Sequence, residues 1–224
     1  MQTLKALAVA SGFAALLCSL KVQEETGAAG DSRLLFCIGT PDASPAEFGL
    51  AADTYRRFST VFPKPVLFEV GRSSERSWPF VHPAPRDKWA GGRVHPFSII
   101  FNAKGIPPVT LYLHIGIAAG HPTEPSVIRV HVNGKSLGSR PAPKGAVDLI
   151  FDPLGQGIAA VVTFPIPPVL LTPERNQITI CLEKGSWIIY DYIALSKSGK
   201  PPALRKTAGR KLRKRLLSYS KEIV

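Results

Sequence analysis

The sequence predicts an all-β domain, a β-sandwich or jelly roll, and three observations carry this. Short β-prone runs recur along the chain, their apolar residues alternate with a period of two and not 3.6, and Gly, Pro, Asn or Asp falls between them. About nine such runs in ~165 residues is the strand density of a sandwich. The chain has 224 residues, 45% of them hydrophobic, which suffices for a real core. Its 21 prolines and 19 glycines follow no repeat period, which argues against a collagen-like or low-complexity chain.

The chain starts MQTLKALAVASGFAALLCSL: one lysine, then an uncharged stretch from Ala6 to Leu20. That is the length of a signal-peptide core and short for a membrane span. Residues 1–30 are therefore expected to be a secretory leader and linker, although no small-x-small cleavage site follows promptly. Residues 31–199 form the expected sandwich, and 200–224 a basic tail. Strands are predicted at Leu34–Gly39, Val66–Gly71, Phe97–Ala103, Val109–Ala118, Val127–Asn133, Leu149–Phe151, Ala160–Pro165, Gln177–Glu183 and Trp187–Ser196. GTPDASPAEF, after the first strand, sets two prolines and two acids behind a glycine and predicts a corner of one fixed shape. Asn133–Gly134 is the best hairpin signal, since both residues tolerate positive φ, and should turn Val127–Val132 back onto Lys135–Gly138. GIAAG, Gly116–Gly120, is read as a turn entry.

Two runs can be read face by face. In Val109–Ala118 the odd positions Val109, Leu111, Leu113, Ile115 and Ile117 are apolar, and the even ones include Thr110, Tyr112 and His114. In Val127–Asn133 the even positions Ile128, Val130 and Val132 are apolar, and Arg129 and His131 alternate with them. Each strand buries one face and shows the other to water. If the two pair as antiparallel neighbours, Tyr112, His114, Arg129 and His131 share one exposed face. In GSWIIYDYIALS, Asp191 has the parity of Trp187, Ile189, Ile193 and Leu195, which directs it inward and Tyr190 and Tyr192 to the other face. A buried carboxylate needs partners. An acceptor for loop N–H groups or for an arginine is the favoured reading over a catalytic or calcium-binding acid.

The net charge of +12 is unevenly placed. From Lys200 to Val224 nine Lys or Arg stand against Glu222, a net of +8, which leaves 19 against 15, a net of +4, for the rest. The Arg210–Arg215 cluster is a plain charge run of the kind that binds phosphate in a salt-sensitive way or simply stays solvated. There is no Walker loop, dinucleotide turn, His-Glu-x-x-His, Cys-x-x-Cys or Gly-x-Ser-x-Gly. The histidines His82, His95, His114, His121 and His131 lack metal-ligand spacing and are expected in loops or at the surface. No metal and no cofactor is predicted. Without the leader, Cys37 and Cys181 remain, two cysteines inside β runs that are expected as buried free thiols in preference to a disulfide.

IGTPDASPAEF, VGRSSERSWPFVHP, FSIIFNA, VTLYLHIGIAAG, VHVNGKSLG and NQITICLEKGSWIIYDYIALS together resemble, in order and spacing, the C-terminal carbohydrate-binding-module-like domain of rhamnogalacturonan lyases, polysaccharide lyase family 4. The resemblance covers residues 34 to about 197. Gly-Thr-Pro-Asp with Pro-Ala-Glu-Phe, and the late Tyr-Asp-Tyr-Ile, are its most specific parts. It implies a galactose-binding-domain-like jelly roll that in those enzymes follows a catalytic β-sandwich and a fibronectin-like domain. The family's catalytic lysine and histidine lie in that first domain, and only about thirty residues precede Leu34 here. No catalytic residue carries over, so the chain alone is expected to be inactive as a lyase. After Phe48, where the family tends to an Asn-Gly turn, this chain has Gly49–Ala52. By this resemblance the corner is an architectural loop in which Asp42 or Glu47 caps loop amides.

The expected function is a secreted carbohydrate-binding module for pectic or another acidic polysaccharide, with no membrane span and with a catalytic chain as a possible separate partner. Sugars pack C–H faces on aromatic rings and take hydrogen bonds from Arg, Asn and Asp. Candidate contacts are Tyr112, His114, Arg129 and His131 with the loop residues Trp78 and Trp89, each of the tryptophans having core or loop packing as its alternative role. Two other readings stand beside this one: a truncated end of a lyase whose catalytic domain is encoded upstream, and an anion or nucleic-acid binder through the tail, the latter disfavoured.

Overall fold

The computed structural model describes residues 33–50, 52–121, 123–142 and 160–204. The leader, the strand expected at Leu149–Phe151 and the basic cluster of the tail lie outside the described residues. Among the described residues ten strands follow in order: β1 (Leu34–Gly39), β2 (Val66–Glu69), β3 (Val81–His82), β4 (Phe97–Asn102), β5 (Leu111–Gly120), β6 (Val127–Val132), β7 (Lys135–Pro141), β8 (Ala160–Ile166), β9 (Arg175–Lys184) and β10 (Ile188–Ser196). They form two five-stranded sheets. The front sheet runs β2-β4-β9-β6-β7; the back sheet runs β1-β10-β5-β8, with β3 also on β10. The fold is an all-β sandwich.

The alternating pattern builds the core. On β6 Ile128, Val130 and Val132 are fully buried, and on β9 Ile178, Ile180 and Leu182 are. They meet Leu111, Leu113, Ile115 and Ile117 of β5 and Ile193 and Leu195 of β10 in one cluster. Each such side chain contributes roughly 1.5–3 kcal/mol by leaving water. Asn133 and Gly134 take φ 49° and 78° and close the β6–β7 hairpin as the dipeptide predicts. GIAAG, by contrast, is no turn: Gly116–Gly120 is the second half of β5, paired with β10 and β8. The run is small and apolar because this stretch is buried on both faces.

Sheet membership differs from the simplest sequence expectation. The strands β5 and β6 are consecutive but belong to opposite sheets, so Tyr112 and His114 do not share a face with Arg129 and His131. Parity along a strand says which residues share a face, not which strand lies alongside. The strands β2 and β4 pair in parallel. A parallel pair needs a crossover, and residues 70–96 supply it, carrying Trp78, β3 and His82 into the core.

The strand β10 does not keep a strict alternation. Its register to β5 shifts between Ile189 and Tyr190 and again between Tyr190 and Tyr192. These β-bulges re-aim side chains. Tyr190 turns into the core, where it packs with Trp78 at 5.6 Å and Phe48 at 6.2 Å between ring centroids, contrary to its placement by parity on the far face. Of the histidines expected in loops or at the surface, His82 and His114 are buried within strands, while His95 lies in a loop as expected and is buried there. His82 lies flat on Phe97, 3.7 Å between centroids, with Nε2 2.7 Å from the carbonyl of His95 and Nδ1 2.7 Å from the Tyr190 hydroxyl. Nε2 must donate to the carbonyl, so Nδ1 accepts from Tyr190. Burial lowers the His82 pKa to about 3 and keeps the ring neutral.

Cys37 and Cys181 stay thiols and form no disulfide. They sit on outward positions of opposite sheets and are half-buried, not fully buried as expected.

Candidate functional site

The outward positions of the front sheet form a polar face. The register sets Ser136, His131, Thr179 and Ser98 side by side across β7, β6, β9 and β4. A second row holds Ser139, Arg129 and Cys181. Thr179 Oγ1 and Ser98 Oγ lie 3.1 Å apart, and the Gln177 amide donates to both at 3.1 Å. The two amide protons are thereby committed, and Oε1 of Gln177 is left to accept. Arg129 donates through Nε to Glu183 and through a terminal nitrogen to Ser136 Oγ, while Ser139 donates to Glu183. The ion pair draws the Glu183 carboxyl below its ordinary range.

Beside this lattice lies an open groove of about 450 Å³, lined by His131, Asn133, Gly134, Arg175, Gln177 and Thr179. Its volume is within the ~300–1,000 Å³ of small-molecule sites. One wall is rigid: Asn133 Nδ2 donates to Leu170 O and Asn176 Oδ1, and its Oδ1 accepts from the Gln177 N–H. Asn176, fully buried, is held in turn by Thr172 and Glu174. Arg175 is largely exposed, 4.0 Å from Glu69. The groove thus offers a guanidinium, an imidazole and an amide oxygen on a stiff sheet.

Of the residues singled out in the sequence, Arg129 and His131 sit on this face and the rest do not. Tyr112 is half-buried on the back sheet, stacked near His114 and backed by Gly199. His114 is fully buried beneath the segment after β10, with Nε2 3.0 Å from Ser198 O and Nδ1 3.0 Å from Thr163 Oγ1. Desolvation lowers its pKa, and a neutral ring suits these partners. Trp78 is a core residue with no exposed surface, set edge-on to Phe97 at 5.2 Å. Trp89 packs on Tyr55 at 4.9 Å and Phe58 at 6.4 Å. Trp78 has no surface to offer a ligand, whereas Trp89 is half-buried. Ser98, Asn133, Arg175, Gln177 and Thr179 were not singled out; Gln177–Glu183, read face by face like its neighbours, places Gln177 and Thr179 outward.

The corner after β1 is closed by Asp191. Its Oδ1 accepts from the amides of Asp42 at 3.2 Å and Ser44 at 3.1 Å, and Asp42 Oδ1 accepts from Ser44 N at 3.0 Å. Gly39, with φ +80°, opens the corner; a Cβ there would lie 2.7 Å from the Phe48 ring and 2.8 Å from the Asp191 carbonyl. Asp191 is fully buried, and desolvation, opposed by the loop amides, raises its carboxyl to about 7. Glu47 is half-buried, and its Oε2 is without a hydrogen-bond partner among the described residues.

A family model described as CBM-like, polysaccharide lyase family 4, domain III matches residues 34–195. No curated protein matches the chain. Among solved structures, a family 35 carbohydrate binding module from an environmental isolate is 18% identical, with 51% of this chain and 72% of that one covered at a TM-score of 0.35. The C-terminal CBM6 of LamC from Zobellia galactanivorans is 13% identical, with coverages of 46% and 71% and a TM-score of 0.31. A family 35 carbohydrate binding module from Clostridium thermocellum is 16% identical, with coverages of 46% and 69% and a TM-score of 0.30.

Proposed function

The chain belongs to the CBM-like, polysaccharide lyase family 4 domain III family, and from that premise we propose that it is a carbohydrate-binding β-sandwich whose ligand lies across the outer face of the front sheet. The observation that carries the reading is the groove at His131, Arg175 and Gln177, where polar groups converge on a fixed lattice. Sugar hydroxyls are both donors and acceptors, and a site with Gln177 Oε1, the His131 ring and the Thr179 and Ser98 hydroxyls serves both roles. Preorganisation matters because each side chain immobilised on binding costs roughly 0.5–1.5 kcal/mol, and the Ser98–Thr179–Gln177 triangle is already fixed.

The ligand class is a pectic or other acidic polysaccharide. Arg175 is the exposed cation of the groove, and a guanidinium presents a planar fork that matches a carboxylate. Such a ligand is extracellular, and so is the protein in this reading. Among the described residues no helix is long and apolar enough to cross a membrane. A separate catalytic chain as partner is part of the same proposal.

Titration calorimetry with rhamnogalacturonan, polygalacturonate and neutral galactan tests it. His131→Ala and Gln177→Ala should each weaken glycan binding tenfold or more while the unfolding midpoint stays within 2 °C or so of wild type, as expected for surface changes within about 0.5 kcal/mol. Undiminished binding by both variants would sink the assignment of this face.

A further inference from the structure

The parallel pairing of β2 with β4 puts the two segments that lead into them side by side at one end of the front sheet, with Val66 opposite Phe97. Both segments carry a cation, and the Lys64 segment is stiffened by its flanking prolines. Lys64 stands between Pro63 and Pro65, and Arg93 precedes His95 and Pro96; proline fixes φ and limits the residue before it. Together with Phe58 and Phe62 of α1 (Phe58–Val61) and its C-cap they enclose a groove of about 150 Å³. Phe58 stacks between Phe62 at 5.8 Å and Phe97 at 6.1 Å. Lys64 and Arg93 are exposed, and neither forms an ion pair among the described residues. His95 lies edge-on to Phe58 at 5.0 Å with Nε2 2.9 Å from Ala90 O, so Nε2 donates and Nδ1 is the acceptor. Desolvation lowers the His95 pKa, in keeping with that neutral form.

We propose that this groove is a second ligand site, which takes the anionic group of a sugar between Lys64 and Arg93. The inference rests on the reading of the chain as carbohydrate-binding and adds to Arg175 of the front face a second point of charge recognition at a different surface. Two like charges lining one small groove repel each other, and an anion between them relieves that repulsion. Phe62, half-buried, offers an apolar surface to the C–H face of a sugar ring, and Nδ1 of His95 accepts from a hydroxyl. The shared chemistry is an anionic sugar, with carboxylate and sulfate as its two sources.

The test uses the full chain, titrated with polygalacturonate, a sulfated galactan and a neutral galactan at low and high salt. Lys64→Gln with Arg93→Gln should weaken binding of one or both anionic polymers tenfold or more, leave the neutral polymer unchanged and keep the melting temperature. Which of the two polymers responds identifies carboxylate or sulfate as the group bound. Wild-type preference for that polymer over the neutral one should fade at high salt as screening shortens, and Lys64→Arg should retain it. Anionic binding unchanged in the double variant overturns the proposal. So does a wild type that binds neither anionic polymer more tightly than the neutral one, or equal binding of single-stranded DNA that the double change abolishes. If the Lys64/Arg93 changes act while His131→Ala and Gln177→Ala do nothing, the front-face reading fails and this one stands.

Discussion

Replacing Asp191 by asparagine removes a buried charge and keeps the acceptor. In wild type the carboxyl is raised from 3.8 to about 7 because burial strips its solvation, the amides of Asp42 and Ser44 offsetting only part of this. At 1.36 kcal/mol per pH unit that rise is worth up to about 4 kcal/mol. The sign follows from proton counts. Between pH 3.8 and about 7 the folded state holds a proton that the unfolded state has released, so this group's contribution is fully present below pH 3.8, falls as pH rises and is gone above about 7. In Asp191→Asn the side-chain amide would accept the same two N–H groups through Oδ1 and carry no charge at any pH, while its NH2 takes the place of Oδ2, which is buried without a hydrogen-bond partner among the described residues, a cost that does not vary with pH. Urea unfolding of both proteins at half-unit steps from pH 4 to 8 is the assay, and the difference between them cancels the titrating groups not coupled to Asp191. Measured from its value at pH 4, the stability of Asp191→Asn relative to wild type should rise by up to about 4 kcal/mol by pH 8, while Asp191→Ala, which leaves loop amides unpaired, should differ from Asp191→Asn by an amount that is flat with pH. A difference between wild type and Asp191→Asn that is flat with pH would refute the reasoning.

Three further outcomes are expected. Tyr190→Phe removes the donor to His82 Nδ1 inside the core and should cost about 1–3 kcal/mol by equilibrium unfolding, the penalty of a buried acceptor left bare. Asn133→Ala breaks the bonds to Leu170, Asn176 and Gln177 and forces an alanine to φ 49°; a loss of about 2–4 kcal/mol in urea melts is expected, and Asn133→Gly should recover the backbone part. Arg129→Met breaks an ion pair whose side chains are about a third exposed, so stability should change by about 1 kcal/mol or less, measured by thermal melt at two salt concentrations.

The strands were legible because each carries its own alternation: Leu34–Gly39 begins and ends as read, and β6 shows its apolar and polar rows at the expected parities. The hairpin was legible because Asn-Gly needs positive φ wherever it occurs. The unread features belong to no single segment. The two-residue strand β3 is defined only by its pairing with β10, and the bulges of β10 exist only against β5. His114 looks like a surface position on its own strand and is covered by Ser196 to Ser198 from another. Half of the candidate face was visible, as Arg129 and His131; the remainder needed β9 set beside β6 and β4. Asp191 shows both sides. Its burial followed from its neighbours, but the bulge that aims it at residues 42 and 44 did not.

The front face draws on β2, β4, β6, β7 and β9, segments scattered from Val66 to Lys184 and reordered in space. No excised peptide contains that face, and no locally ordered fragment of the chain can present it. Occupancy of the face and integrity of the sandwich are then one cooperative property. A sugar that binds only the native state raises the melting temperature through mass action, by RT ln(1 + [L]/Kd) in free energy, or about 2.7 kcal/mol at a hundredfold excess over Kd. A panel of unlabelled glycans can accordingly be ranked by melting temperature alone, with the protein itself as the reporter.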